Sequence, residues 1–210
     1  MNEVTLFITS CGRPHLLKKT LETFMIFNTY SIKEAIICED SGVNNCIDFV
    51  KDIVNFPCNI IYNEKRMGQM RSIENGVKYI TTPYVFHCED DWEFYCPGFI
   101  ELSMQILESN DKISQVLLRS YNEYTSRYNM KIVNNDNMNY NIITLNEGTS
   151  LYSFNPSLKK TEIELLNIPY KDTDDEGTIQ LKIQELGYVS VVTKNQNGFV
   201  NHIGWNDHVY

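Results

Sequence analysis

The sequence predicts an α/β fold with a mostly parallel central sheet flanked by helices, and three observations carry that reading. Short apolar runs alternate with amphipathic stretches, the runs are apolar almost throughout rather than at every second residue, and polar, acidic residues follow them directly. A strand that is apolar on both faces is buried on both, which calls for helices above and below the sheet. In such sheets ligands gather beyond the carboxyl ends of the strands.

Val4 to Thr9 is an apolar, β-branched strand that meets Ser10-Cys11-Gly12-Arg13-Pro14, a turn whose proline suits the first position of a helix. Leu17, Leu21, Phe24 and Met25 then recur at helical spacing, with Lys18, Lys19 and Glu22 on another face, to about Phe27. The unit repeats. Ala35 to Cys38 is a second strand ending in Glu39-Asp40-Ser41-Gly42, Cys46 to Val54 a second helix, and Asn59 to Tyr62 a third strand. Met67 to Ile80 is a helix and Tyr84 to Cys88 a fourth strand.

The second half is less regular. Pro97 to Leu107 reads as a helix and Gln115 to Leu118 as a strand, while the Asn-rich stretch Asn129 to Asn141 has no period and reads as a loop or irregular hairpin. Ser150 to Phe154 is a candidate strand, Leu158 to Leu166 a short helix, and Gly177 to Leu186 a helix stopped by Gly187. Tyr188 to Thr193 is a last strand before a polar tail containing His202-Ile203-Gly204-Trp205.

At 210 residues and 42% hydrophobic, the chain is expected to form one domain with a substantial core. A formal net charge of −9 argues against nucleic acid as partner, since that grip needs clustered Lys and Arg. A nucleotide diphosphate remains possible where a divalent cation bridges carboxylates to phosphate. The six cysteines contain no CxxC pair and no zinc-type spacing, so free thiols in a reducing compartment are expected, with Cys38, Cys58 and Cys88 acting as small hydrophobes. The start lacks a basic segment, and its apolar run is too short for a signal peptide or membrane span, so the expected location is cytoplasmic.

Glu89-Asp90-Asp91 follows the strand Tyr84 to Cys88, and three consecutive carboxylates repel one another unless something positive sits among them. A hard cation, Mn2+ or Mg2+, is the natural candidate, the ordinary alternative being a solvated acidic turn. Asp40 also ends a strand, where a carboxylate can accept from a base or ribose. No GxGxxG follows the first strand and no GxxxxGKS or GxxxxGKT occurs, so another phosphate-holding device is needed.

Together these residues resemble the GT-A glycosyltransferases, in particular glycosyltransferase family 2. The likeness rests on Thr5-Leu6-Phe7-Ile8-Thr9 entering a turn and helix, Cys38-Glu39-Asp40-Ser41-Gly42, Asn63 with Gly68 and Arg71, and Pro83-Tyr84-Val85-Phe86-His87-Cys88-Glu89-Asp90-Asp91. It covers Val4 to Phe94 well and the remainder in patches. The resemblance implies a GT-A fold with a nucleotide-binding half, 1–94, and an acceptor-binding half, 95–210. Thr9, Arg13 and Asp40 would hold base and ribose, and Asp91, the last acid of a DxD-type motif written here as Glu-Asp-Asp, would bind the metal. Glu89 or Asp90 would reach ribose or metal-bound water, and Arg71 would face the donor. His202 looks like the late histidine that returns to the metal, and an imidazole beside carboxylates suits Mn2+ better than Mg2+. His87 and His208 are expected to be structural or surface residues.

By the same resemblance the reaction moves a sugar from a nucleotide-diphosphate donor, UDP-sugar first, to a hydroxyl of a glycan or glycoconjugate acceptor with inversion. Asp175 or Glu176 would deprotonate the acceptor, although acids at a helix start also serve as caps. Asn155-Pro156-Ser157 would shape the acceptor pocket, and Trp92 and Trp205 offer faces for a sugar ring. Two rival readings use the same carboxylates: a metal-dependent nucleotidyltransferase or phosphohydrolase, and a non-catalytic nucleotide-sugar-binding module.

Overall fold

The computed structural model describes residues 2–145, 148, 150–166, 168–171 and 174–207. Its strands are β1 (Val4–Ser10), β2 (Ile32–Glu39), β3 (Cys58–Tyr62), β4 (Tyr84–Glu89), β5 (Trp92–Phe94), β6 (Ile113–Leu117), β7 (Lys131–Val133), β8 (Tyr140–Thr144), β9 (Ser157–Lys160), β10 (Val189–Thr193) and β11 (Val200–His202). The helices are α1 (Pro14–Phe27), α2 (Val50–Ile53), α3 (Gln69–Val77), α4 (Phe99–Ser109), α5 (Thr161–Leu165) and α6 (Glu176–Glu185), with a π-type turn at Glu123–Arg127. Nine strands form one sheet in the order β3-β2-β1-β4-β9-β6-β10-β8-β7, and β11 pairs with β5 apart from it. The block β3-β2-β1-β4 is parallel, as is β6 with β10, while β9 runs antiparallel between β4 and β6 and β8 antiparallel to β10.

The apolar runs are continuous because the sheet has a core on each face. Val4, Leu6 and Ile8 of β1 pack with Leu17, Leu21 and Phe24 of α1 and with Phe99 of α4. Phe7, from the same strand, faces the other way into a cluster with Ile73 and Val77 of α3 and Ile179 and Ile183 of α6. Each such side chain contributes roughly 1.5–3 kcal/mol on burial. Gly76 lets α3 approach closely: a Cβ there would collide with Cys38 Sγ and with the Phe7 ring. Burial pushes the Cys38 thiol up to about 12 and Cys58 to about 11, and all six cysteines are free.

Three expectations need correction. Cys46 to Val54 is helical only over α2, the residues before it forming successive turns in which Asn45 takes a positive φ of 63°. Ser150 to Phe154 is no strand: Ser150 makes a single bridge to Thr144, and the strand is β9, which takes the first three residues of the segment expected to be helical, α5 following as expected. β9 is disguised because its Lys159 is fully buried, with Nζ donating to Glu164 Oε2 at 2.9 Å and to the Tyr152 hydroxyl at 3.1 Å. The tail, finally, is ordered by pairing, with His202 opposite Trp92 and Val200 opposite Phe94. The expected irregular hairpin over Asn129 to Asn141 corresponds to β7 and the start of β8.

His87 lies in the fold as expected, Nδ1 sharing a hydrogen with Glu164 Oε1 at 2.8 Å, whereas His208 lies outside the described residues. Burial would raise the Glu164 carboxyl, but the Lys159 ammonium and His87 outweigh it and hold it well below its ordinary value of 4.5. The folded state therefore binds fewer protons than the unfolded chain in mild acid, so this contribution is complete above about pH 4.5 and fades as the pH falls. Burial also holds the His87 imidazole below its ordinary 6.5, which adds a loss of stability as pH drops through that value.

Glu164→Gln, which strands the Lys159 charge, is expected to cost about 3–5 kcal/mol in urea unfolding at neutral pH. Gly76→Ala is expected to cost about 1–3 kcal/mol by overpacking, read from the same curves.

Candidate active site

The carboxyl ends of β1, β2 and β4 carry polar residues, the last of them still paired in the sheet before the chain turns away at the rim. They open on a cavity of about 340 Å³ lined by Thr9 and Ser10 at the end of β1, Cys11 and Arg13 from the turn after it, Asp40 just after β2, and Glu89 and Asp90 at and just after the end of β4. Arg66, Gly68, Gln69 and Ser72 close it from the segment leading into α3.

Asp40 organises that closing segment. Its Oδ1 accepts from Asn63 Nδ2 at 2.8 Å and from the Met67 amide at 2.9 Å, and its Oδ2 from the Gly68 amide at 2.8 Å. Glu39 does the same for the other wall: Oε1 accepts from the Gly12 and Ser41 amides at 2.8 and 2.9 Å, while its buried Oε2 has no hydrogen-bond partner.

The acidic triplet divides into three environments. Glu89 Oε1 accepts from Gln69 Nε2 at 2.7 Å and Oε2 from the Trp92 indole at 3.3 Å. Burial, with the charges of Asp91 and Glu176 behind it, pushes Glu89 up to about 8. Asp90 is buried and accepts from Ser10 Oγ at 3.0 Å, the Cys11 amide at 3.3 Å and the Arg13 guanidinium, yet burial still raises it to about 6. Burial acts on Asp91 too, but His202 and Arg13 outweigh it and hold that carboxyl below its ordinary value. Asp91 Oδ2 meets Arg13 Nη1 at 2.8 Å and His202 Nε2 at 3.2 Å, while its buried Oδ1 has no hydrogen-bond partner.

His202 reaches Asp91 because β11 pairs with β5 and the Ile203 amide donates to the Asp91 carbonyl at 2.9 Å. Its ring lies between Trp92 and Trp205, with centroids 4.9 and 4.1 Å away, and the Arg127 guanidinium caps Trp205 at 3.1 Å. Gly204 is required by the close approach of the tail: a Cβ there would collide with the Asp91 carboxylate and stand 2.8 Å from its Cβ.

The donor set suits a divalent ion. A carboxylate oxygen and an imidazole nitrogen lie 3.2 Å apart, a mixed pair that favours Mn2+. Among the described residues no group of three or more His, Cys, Asp or Glu could hold a metal, so the remaining coordination positions would fall to phosphate and water.

Of the other expected residues, Arg71 faces an adjoining depression with Met70, Lys171 and Asp174, and its Nη1 pairs with Glu74 at 2.8 Å. Arg66, which the sequence reading passed over, lines the main cavity instead. Its signal was present in Lys65-Arg66, the basic pair just before Gly68. Asp175 caps α6, accepting from the Thr178 amide at 2.8 Å, and these hydrogen bonds lower its pKa. Glu176 Oε1 accepts from the Phe154 amide at 2.6 Å and Ser153 Oγ at 3.0 Å. Trp92 is wholly buried and so offers no face to a sugar, whereas Trp205 is half-buried. Asn155 is tied to Ser153, with Arg119 Nη1 at 3.4 Å.

This sheet, with its acids at the strand ends and a tail returning to them, is a GT-A glycosyltransferase fold, and solved structures agree. The chain resembles a mannosyltransferase, PcManGT from Pyrobaculum calidifontis, solved with GDP-Man and Mn2+ (TM-score 0.69, 11% identity, 92% of this chain and 55% of that one). It also resembles S. aureus TarS 1-349 with UDP-GlcNAc (0.67, 10%, 99% and 62%) and GalNAc-T7 with UDP, GalNAc and Mn2+ (0.69, 11%, 100% and 45%). The chain thus spans between about half and three-fifths of these structures. The sequence pattern of Glycosyl transferase family 2 matches residues 5–168, and the chain belongs to that family. No curated protein matches it. Among the described residues no helix is long and apolar enough to cross a membrane.

Gly204→Ala is expected to cost about 1–3 kcal/mol in urea unfolding, since the new methyl displaces Asp91 or the tail.

Proposed function

We propose that the chain transfers a sugar from a nucleotide-diphosphate sugar, UDP-sugar first, to a hydroxyl of a glycan or glycoconjugate acceptor, with inversion at the anomeric carbon. The observation that carries this reading is the meeting of Asp91 and His202 beside a cavity walled by the ends of β1, β2 and β4. The nucleotides and Mn2+ in the neighbouring structures support the donor class.

In this reading Thr9 and Arg66 line the space for the nucleoside, and Asp40 shapes it by fixing the Met67 and Gly68 amides. Arg13 supplies a planar fork that matches phosphate oxygens. Asp91 and His202 would hold Mn2+ or Mg2+, which when bound supplies Lewis-acid neutralisation of the departing diphosphate. Asp90 and Glu89 set the electrostatics around that position, and Gln69 and Trp92 fix Glu89 in place.

Glu176 is assigned as the base and Asp175 as the cap that starts its helix. Two donors hold Glu176 Oε1, and the oxygen not engaged in those bonds takes the acceptor proton as the acceptor oxygen attacks the anomeric carbon. The bond from that carbon to the phosphate oxygen breaks, and the nucleoside diphosphate leaves with the electron pair. The residues 1–94 serve as the nucleotide-binding half and 95–210 as the acceptor-binding half of one domain.

A screen of UDP-, GDP- and dTDP-sugars for transfer or hydrolysis, with Mn2+, Mg2+ or EDTA, tests the reading. Asp91→Ala, His202→Ala and Glu176→Gln are each expected to lower kcat at least about 100-fold. Activity surviving chelation and both metal-site substitutions would contradict the mechanism, and Mn2+-dependent UDP binding without turnover of any donor would favour a binding module.

A further inference from the structure

Arg13 is committed to the acids rather than to open space. Its Nη2 and Nε reach Asp90, while its Nη1 lies 2.8 Å from Asp91 Oδ2 and donates to the Asp207 carbonyl at 3.1 Å. Asp91 Oδ2 is also the oxygen that faces His202 Nε2. The guanidinium therefore stands on one of the two side chains that would hold a divalent cation.

A dication cannot share that oxygen with a guanidinium without strong repulsion, because both sit in a largely water-excluded place where screening is weak. Arg13 must leave Asp91 when the ion arrives. The diphosphate offers it a new partner, since Arg13 lines the cavity in which that group would lie, and its fork pairs with phosphate as well as with carboxylate.

Resting on the reading of Asp91 and His202 as the metal pair, we propose that Arg13 is an exchange residue that couples the two ligands. It neutralises Asp91 before binding and passes to the diphosphate when the divalent ion takes its place. Metal alone must displace an ion pair, and a nucleotide diphosphate alone must draw Arg13 away from bare carboxylates. Bound together, each removes the obstacle to the other. The coupling is reciprocal, so the nucleotide raises metal affinity by the factor by which metal raises nucleotide affinity. Asp90, which keeps Ser10 Oγ and the Cys11 amide as donors, stays hydrogen-bonded when Arg13 swings away.

The test is titration of the full chain with Mn2+, following free Mn2+ by electron paramagnetic resonance, without nucleotide and with saturating UDP. Arg13→Gln is expected to bind Mn2+ alone about tenfold more tightly than the unaltered protein, with the UDP enhancement reduced by a similar factor. Arg13→Lys, which keeps the charge but loses the fork, is expected to fall between the two. It serves also as the measurable variant if Arg13→Gln does not fold, as judged by circular dichroism. Asp91→Asn is expected to abolish Mn2+ binding in either background. If both Arg13 variants bind Mn2+ alone no more tightly than the unaltered protein while Asp91→Asn still abolishes binding, the exchange is wrong and the metal pair stands. If Asp91→Asn leaves Mn2+ binding intact, the metal pair is wrong and the exchange falls with it.

Discussion

Three carboxylates in succession at the end of a buried strand are the constraint around which this site is arranged. Their mutual repulsion and loss of hydration must be offset by donors and positive charge from elsewhere in the chain. Arg13 comes from the turn after β1, Gln69 from the start of α3, and His202 from a tail more than a hundred residues away. Arg13 serves both Asp90 and Asp91, and His202 adds to Asp91 alone, so that burial prevails at Glu89 and Asp90 and raises them while Asp91 is lowered, although the three are adjacent in sequence. The cavity is a by-product of the same arrangement, since the elements that deliver these partners also form its walls.

The first half was legible because its pattern is local. Apolar runs from Val4, Ala35, Asn59 and Tyr84 register directly as parallel strands, and Thr9, Arg13, Asp40, Glu89 and Asp90 fall on one rim because strand ends do. Arg71 and Arg66 show the limit of that reading. Helical spacing places Arg71 on α3, but which arginine faces the cavity depends on how Asp40 draws in the Met67 and Gly68 amides, a contact between distant segments.

The second half hides its structure in long-range pairing. β9 carries two lysines and reads as solvent-facing, yet Lys159 is buried because Glu164 of α5 and Tyr152 of the preceding loop meet its ammonium. The tail looks polar and patternless until β11 finds β5, and only then does Gly204 acquire a reason, the space taken by the Asp91 side chain. The acids Asp175 and Glu176 were equivalent in sequence. Position on the first turn of α6 separates them, one turned to the Thr178 amide and the other to Ser153 and Phe154.

Asp91 and His202, brought together by the β5–β11 pairing, are the pair proposed to hold the divalent ion that meets the donor diphosphate. Pulsed electron paramagnetic resonance of Mn2+ bound to the chain with UDP addresses that proposal most directly. Nitrogen modulation from one coordinated imidazole, lost in His202→Gln, is expected together with phosphorus coupling from the nucleotide. Phosphorus coupling without imidazole nitrogen, or nitrogen modulation unchanged in His202→Gln, would contradict it.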